Sequence, residues 1–148
     1  MYLFRLLLAI WGFGLVGTIG ELLLLEHFDG ALQLVPLVVL AVGLATSIWY
    51  LTRPGLASLK AFEMTLVLFA ASGLIGLFLH FRGNVQFERE RDPTLHGFQL
   101  FAHAIMGATP ALAPGTMIFL ASIGVAMLLA KPVMPARPPF RTGAPMPH

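Results

Sequence analysis

The sequence predicts an all-α protein, a bundle of four transmembrane helices with a short amphipathic helix between the third and the fourth. Three observations carry this. Of 148 residues, 57% are hydrophobic and 11% are charged, and the mean hydropathy is +0.84; a soluble domain of this size cannot bury so much apolar surface. Four apolar runs, 2–25, 31–51, 59–81 and 110–130, each reach the ~20 residues a helix needs to cross a bilayer. The segments between them hold most of the charges and the turn-forming residues.

Taken in order, the first run opens with Arg5 and ends in an acidic stretch with no small-x-small cleavage site, so it reads as a retained helix. Asp29-Gly30 makes a tight turn into the second run, and Arg53-Pro54-Gly55 makes another into the third. Ser58 is placed to cap the third helix, and Gly83 to close it in a left-handed conformation. Residues 82–109 then form the one substantial loop, with 88–91, alternating in sign, as a solvated and self-paired connector. Within that loop Asp92-Pro93 is a good helix start and Gly107 a stop. Leu95, Phe98, Phe101, Ala102, Ile105 and Met106 share one face of that helix, beside a narrow polar stripe of His96, Gln99 and His103, as in a helix lying in the membrane surface. Pro110 and Pro114 sit near the start of the fourth run, where missing donors cost least. Residues 1–130 therefore make the membrane domain. Residues 131–148, with six prolines, make a cytoplasmic tail tending to extended polyproline structure.

Basic residues in short loops set the orientation. With the N-terminus inside, Arg5, Arg53, Lys60, Lys131, Arg137 and Arg141 are cytoplasmic, against Arg82, Arg89 and Arg91 outside. Both termini are then inside, and Trp49 and Tyr50 lie at the inner interface. His27, His80, His96 and His103 fall together on the outer side with Glu21, Glu26, Asp29, Glu88, Glu90 and Asp92.

Several classes of function are excluded or weakened. The chain has no cysteine, which removes thiolate metal sites and thiol catalysis, and a net charge of +2 is too small to indicate a nucleic-acid partner. Residues 12–17 match GxGxxG by letter but lie inside an apolar helix, not after a strand, so no dinucleotide site is implied. What they leave is a small-residue face, Gly14, Gly17 and Thr18 with Glu21, open to close helix packing. Glu21 on that face is expected to be desolvated and paired, first with Arg82 and second with His80. Glu26, His27 and Asp29 need no more explanation than the helix end they occupy.

Candidate ligand residues are nevertheless present. Glu21, His27, His80 and Arg82 form a candidate cofactor site for a metal, haem or quinone, with His27 and His80 as conceivable axial ligands. His96 and His103 are candidate metal ligands, although they stand seven apart and no HExxH occurs.

The segments LHFRGNVQFERERDP (79–93) and GATPALAPGTM (107–117) resemble a group of small bacterial four-helix membrane proteins without an assigned activity. The resemblance covers the chain up to the end of the fourth helix and implies a bacterial cytoplasmic membrane. It implies no cofactor and no catalytic residue.

The expected function is a non-catalytic, non-enzymatic subunit of a larger membrane complex, with energy conversion as one setting and lipid and other membrane subunits as partners. The small residues Ala70, Ala71, Ser72, Gly73 and Gly76 on the third helix, and Pro138, Pro139 and Phe140 in the tail, are the expected docking elements. The alternatives are an outer-face binder of metal, haem or quinone, and a small transporter, which the shortage of polar residues at mid-membrane disfavours.

Overall fold

The computed structural model describes residues 2–107 and 114–130. Its elements are α1 (Tyr2–Leu24), α2 (Ala31–Thr52), α3 (Leu56–Arg91), α4 (Gly97–Ile105) and α5 (Gly115–Leu129). Three helices, α1, α2 and α3, are long and apolar enough to cross a membrane, and α5 is a shorter apolar helix. At a rise of about 1.5 Å per residue, α5 covers only about 22 Å. Residues 110–113 of the expected fourth span, and the tail 131–148, lie outside the described residues.

Side-chain contacts fix the arrangement. The indole Nε1 of Trp11 donates to Ser47 Oγ at 2.9 Å, and Thr46 and Thr65 hydroxyls meet at 3.2 Å. Gly14 faces Leu120 while Gly124 faces Trp11 and Leu66, and Gly73 faces Ile118. The numbers run in opposite directions at every one of these contacts, so α1, α2, α3 and α5 are antiparallel neighbours in an up-down-up-down ring. One end of the bundle carries the α1–α2 turn, the end of α3, and α4. The opposite end carries the α2–α3 turn and the end of α5.

The core is built around Trp11, which is fully buried and packs edge-on against Phe62 at 5.6 Å and Phe69 at 5.4 Å. Tyr50 is buried against the bundle and stacks on Phe62 at 5.7 Å, while its neighbour Trp49 is exposed. Glycine is required where α5 crosses α3: a Cβ on Gly73 would lie 2.6 Å from Ile118 and 3.0 Å from the Pro114 carbonyl. Gly76 likewise meets Pro114. Gly73 and Gly76 are therefore used in one contact inside the molecule, while Ala70, Ala71 and Ser72 remain partly exposed.

Three boundaries differ from the sequence reading. The third helix does not stop at Gly83 but runs on to Arg91, because the segment after Gly83 pairs with itself at helical spacing, Gln86 with Glu90 and Glu88 with Arg91. Its 36 residues extend about 54 Å, well beyond a hydrocarbon core of about 30 Å. Ser58 stands at the third helical position, where its Oγ accepts the Gly55 N–H at 3.0 Å, and Gly55 is the cap. The α4 helix does not start at Asp92-Pro93, because Asp92 ends α3 and Gly97 has a left-handed φ of +55° that a right-handed helix cannot pass through. It begins at Gly97 after His96.

Candidate functional site

Polar groups gather at the α4 end of the bundle. His80, Asn84 and Glu88 are spaced by four residues along α3, so they form one slowly rotating stripe on the face turned toward the rest of the fold. Asn84 and Glu88 are buried and His80 is half-buried with its Nδ1 fully enclosed. A stripe of this kind on a helix whose lower part is apolar is the most site-like feature of the molecule.

Each residue of the stripe meets a different element. Asn84 Nδ2 donates to the Ala104 carbonyl at 2.8 Å and so docks α4 on α3. A Cβ on Gly107 would come within 2.9 Å of the Asn84 side chain, so the end of α4 can approach only as glycine. Glu88 Oε2 lies 2.7 Å from Arg91 Nη2 and 3.7 Å from His103 Nδ1. The carboxylate is held there by charge rather than by an aligned hydrogen bond. Asp92, one turn on, accepts the Thr94 hydroxyl at 2.6 Å and the Thr94 N–H at 3.0 Å. Those two bonds, the hydroxyl first, hold its carboxyl below the ordinary value, with Arg91 and His103 acting in the same direction.

The third participant comes from the α1–α2 turn. His27 N–H bonds the Leu22 carbonyl at 2.9 Å and Glu26 N–H bonds Leu23 at 3.1 Å, the paired pattern of a Schellman helix end. Its left-handed position is filled by Glu26, φ +51°, where glycine is the usual choice. This turn carries His27 over α3, where its ring centroid lies 6.4 Å from that of His80, tilted by 41°. A left-handed conformation costs a non-glycine residue about 1–2 kcal/mol. Glu26→Gly is therefore expected to stabilise the protein by up to about 1 kcal/mol once glycine's own entropy is deducted. Thermal unfolding in detergent, with Glu26→Gln as the unchanged control, measures this.

Of the expected cofactor residues, the structure brings His27 and His80 together and separates the other two. Glu21 is exposed and has no ion pair or hydrogen bond to Arg82 or His80, and Arg82 is exposed as well. The reason lies in the antiparallel packing of α1 on α5: with Gly14 opposite Leu120, Glu21 stands beyond Gly115, where α5 begins. The small-residue face of α1 is thus split, with Gly14 covered and Gly17 open. Of the expected metal ligands, His96 caps α4 and is exposed, while His103 faces Glu88 and Arg91. Among the described residues no group of three or more His, Cys, Asp or Glu side chains is placed to hold a metal ion.

Sequence reasoning missed Glu88, taking 88–91 as wholly solvated. The available signal was its four-residue register with Asn84 and His80. The face of α4 also differs: Leu100 and Ala104 are buried, whereas Phe98, Phe101 and Met106 are exposed. Phe101 still meets Phe81 at 5.6 Å, so the outward apolar side of α4 wraps partly around α3. Compared with known proteins, the chain matches no family model, no curated relative and no solved structure.

Proposed function

We propose that the protein is a non-catalytic subunit of a larger assembly in a bacterial cytoplasmic membrane. In this reading α5 completes a fourth crossing, both termini are cytoplasmic and the α4 end is outside. The supporting charge asymmetry is the count along the sequence, Arg5, Arg53, Lys60, Lys131, Arg137 and Arg141 on the cytoplasmic side of this topology against Arg82, Arg89 and Arg91 on the other.

The observation that carries the subunit reading is the outward face of α1. Glu21 is exposed on an apolar helix, with Gly17 and Gly20 beside it leaving bare backbone. Phe13, 82% exposed, and Leu24, 86% exposed, flank the patch. An ionisable group on a lipid-facing helix is unfavourable by about 2.5–3.5 kcal/mol at mid-membrane and less toward the edge. A neighbouring helix that supplies a donor, and that approaches closely over the glycines, removes this penalty. A parallel symmetric pair of this chain would set Glu21 against its own copy, so the neighbour is a different polypeptide.

A photo-reactive phenylalanine analogue at Gly17, in intact membranes, is expected to give one discrete protein adduct, and Glu21→Leu is expected to abolish it. The same probe at Phe119, on the exposed side of α5, serves as the lipid-facing control. Adducts only to lipid at both positions would sink the subunit reading.

A second reading, binding of a small ligand at the α4 end, is favoured by one specific feature: the enclosed and unbonded Nδ1 of His80 beside His27.

A further inference from the structure

We propose that His27 and His80 form a two-coordinate site for a monovalent copper ion. The inference rests on the second reading above and is independent of any partner subunit.

The spacing selects the coordination. With metal–nitrogen bonds of about 2.0 Å, two imidazole centroids lie about 6 Å apart when the metal is in line between them, and about 5 Å apart at a tetrahedral angle. The observed 6.4 Å is too wide for the tetrahedral angle and matches the span that the linear arrangement requires. The ring that would donate has an unmet need: His80 Nδ1 is enclosed and has no hydrogen-bond partner, and a buried polar atom left unpaired is unfavourable. A neutral imidazole nitrogen is a metal donor, and copper is among the metals that imidazole suits.

The same features disfavour the competing ions. Zinc takes four ligands, and among the described residues no third histidine or carboxylate joins the pair. Charge points the same way. The desolvation penalty rises steeply with the charge of an ion, and neither imidazole neutralises any of it, so one positive charge is tolerated between two half-buried rings more readily than two. The strained turn fits a built site: the left-handed Glu26 and the two Schellman hydrogen bonds fix the backbone that presents His27.

The test is anaerobic titration of the full-length protein in detergent with cuprous ion against a chromogenic cuprous chelator, followed by X-ray absorption of the loaded protein. The expected result is one copper per chain with two nitrogen neighbours. His27→Ala and His80→Ala should each lower the affinity at least tenfold, while His103→Ala leaves it unchanged. Because an alanine variant could fail for want of folding, His27→Met is the second arm: it should keep the copper and replace one nitrogen neighbour by sulfur. A wild-type protein that binds no copper in competition, or binds it equally well in both alanine variants, overturns the site and assigns the space between the rings to water. Failure here would leave the crosslinking result at Gly17 untouched.

Discussion

Replacing Trp11 by alanine is expected to lower stability in detergent by about 3–5 kcal/mol, the usual loss for a large buried aromatic. The indole touches all three of the other ring helices: Phe62 and Phe69 on α3, Ser47 on α2, and the Gly124 backbone position on α5. In a membrane the loss is not of hydrophobic transfer, because lipid is as apolar as the core, but of close packing around a void. Trp11→Phe separates the two contributions. It keeps much of the ring contact and gives up the bond to Ser47, whose hydroxyl still donates to the Gly43 carbonyl at 2.6 Å, so it should cost roughly 1 kcal/mol beyond the lost volume. Unfolding in a graded detergent series, followed by loss of helix signal, gives both values. A loss below about 1 kcal/mol for Trp11→Ala would mean that the ring helices are not held through this residue.

Much of this core was readable in advance, and the reason is physical. Twenty apolar residues between turn formers have few alternatives to a membrane-crossing helix, so α1 and α2 fall within about one residue of their expected limits. That the histidines gather at one end follows from the alternation of helix direction alone. What could not be read is direction around each helix. Periodicity fails when every face is apolar: α1 shows no preferred side in composition, yet Leu15 is buried while Val16 faces out. Glu21 went wrong for this reason, since its partner depended on how far α5 extends past Gly115. Gly83 went wrong for another. Glycine marks a helix end only where a left-handed φ is needed, and here the chain continues helically because Asn84 and Glu88 find partners on α4. The tail 131–148 and the segment with Pro110 lie outside the described residues.

The Glu88 cluster makes the other large prediction, and its two members are not equivalent. The Glu88 side chain is 4% exposed and that of Arg91 is 56% exposed. Removing the arginine therefore strands a buried carboxylate, whereas removing the carboxylate merely returns the arginine to water. Breaking a buried pair from the wrong side costs about 3–5 kcal/mol, while replacing both members by apolar groups is often close to neutral. Arg91→Met is expected at the lower end, about 3 kcal/mol, because His103 remains 3.7 Å from the carboxylate. Glu88→Leu should cost less than about 1 kcal/mol, in keeping with the small worth of a pair in which one member is solvated. The double variant Glu88→Leu/Arg91→Met should recover most of the loss, and that recovery is the informative number, since it isolates the stranded charge from any loss of helix at the end of α3. Amide hydrogen exchange on α4 supplies a local readout: residues 100–105 should exchange faster in Arg91→Met and return to wild-type protection in the double variant. Equal costs for the two single substitutions would show that water reaches Glu88, and α4 would then be held to α3 by Asn84 and its apolar contacts alone.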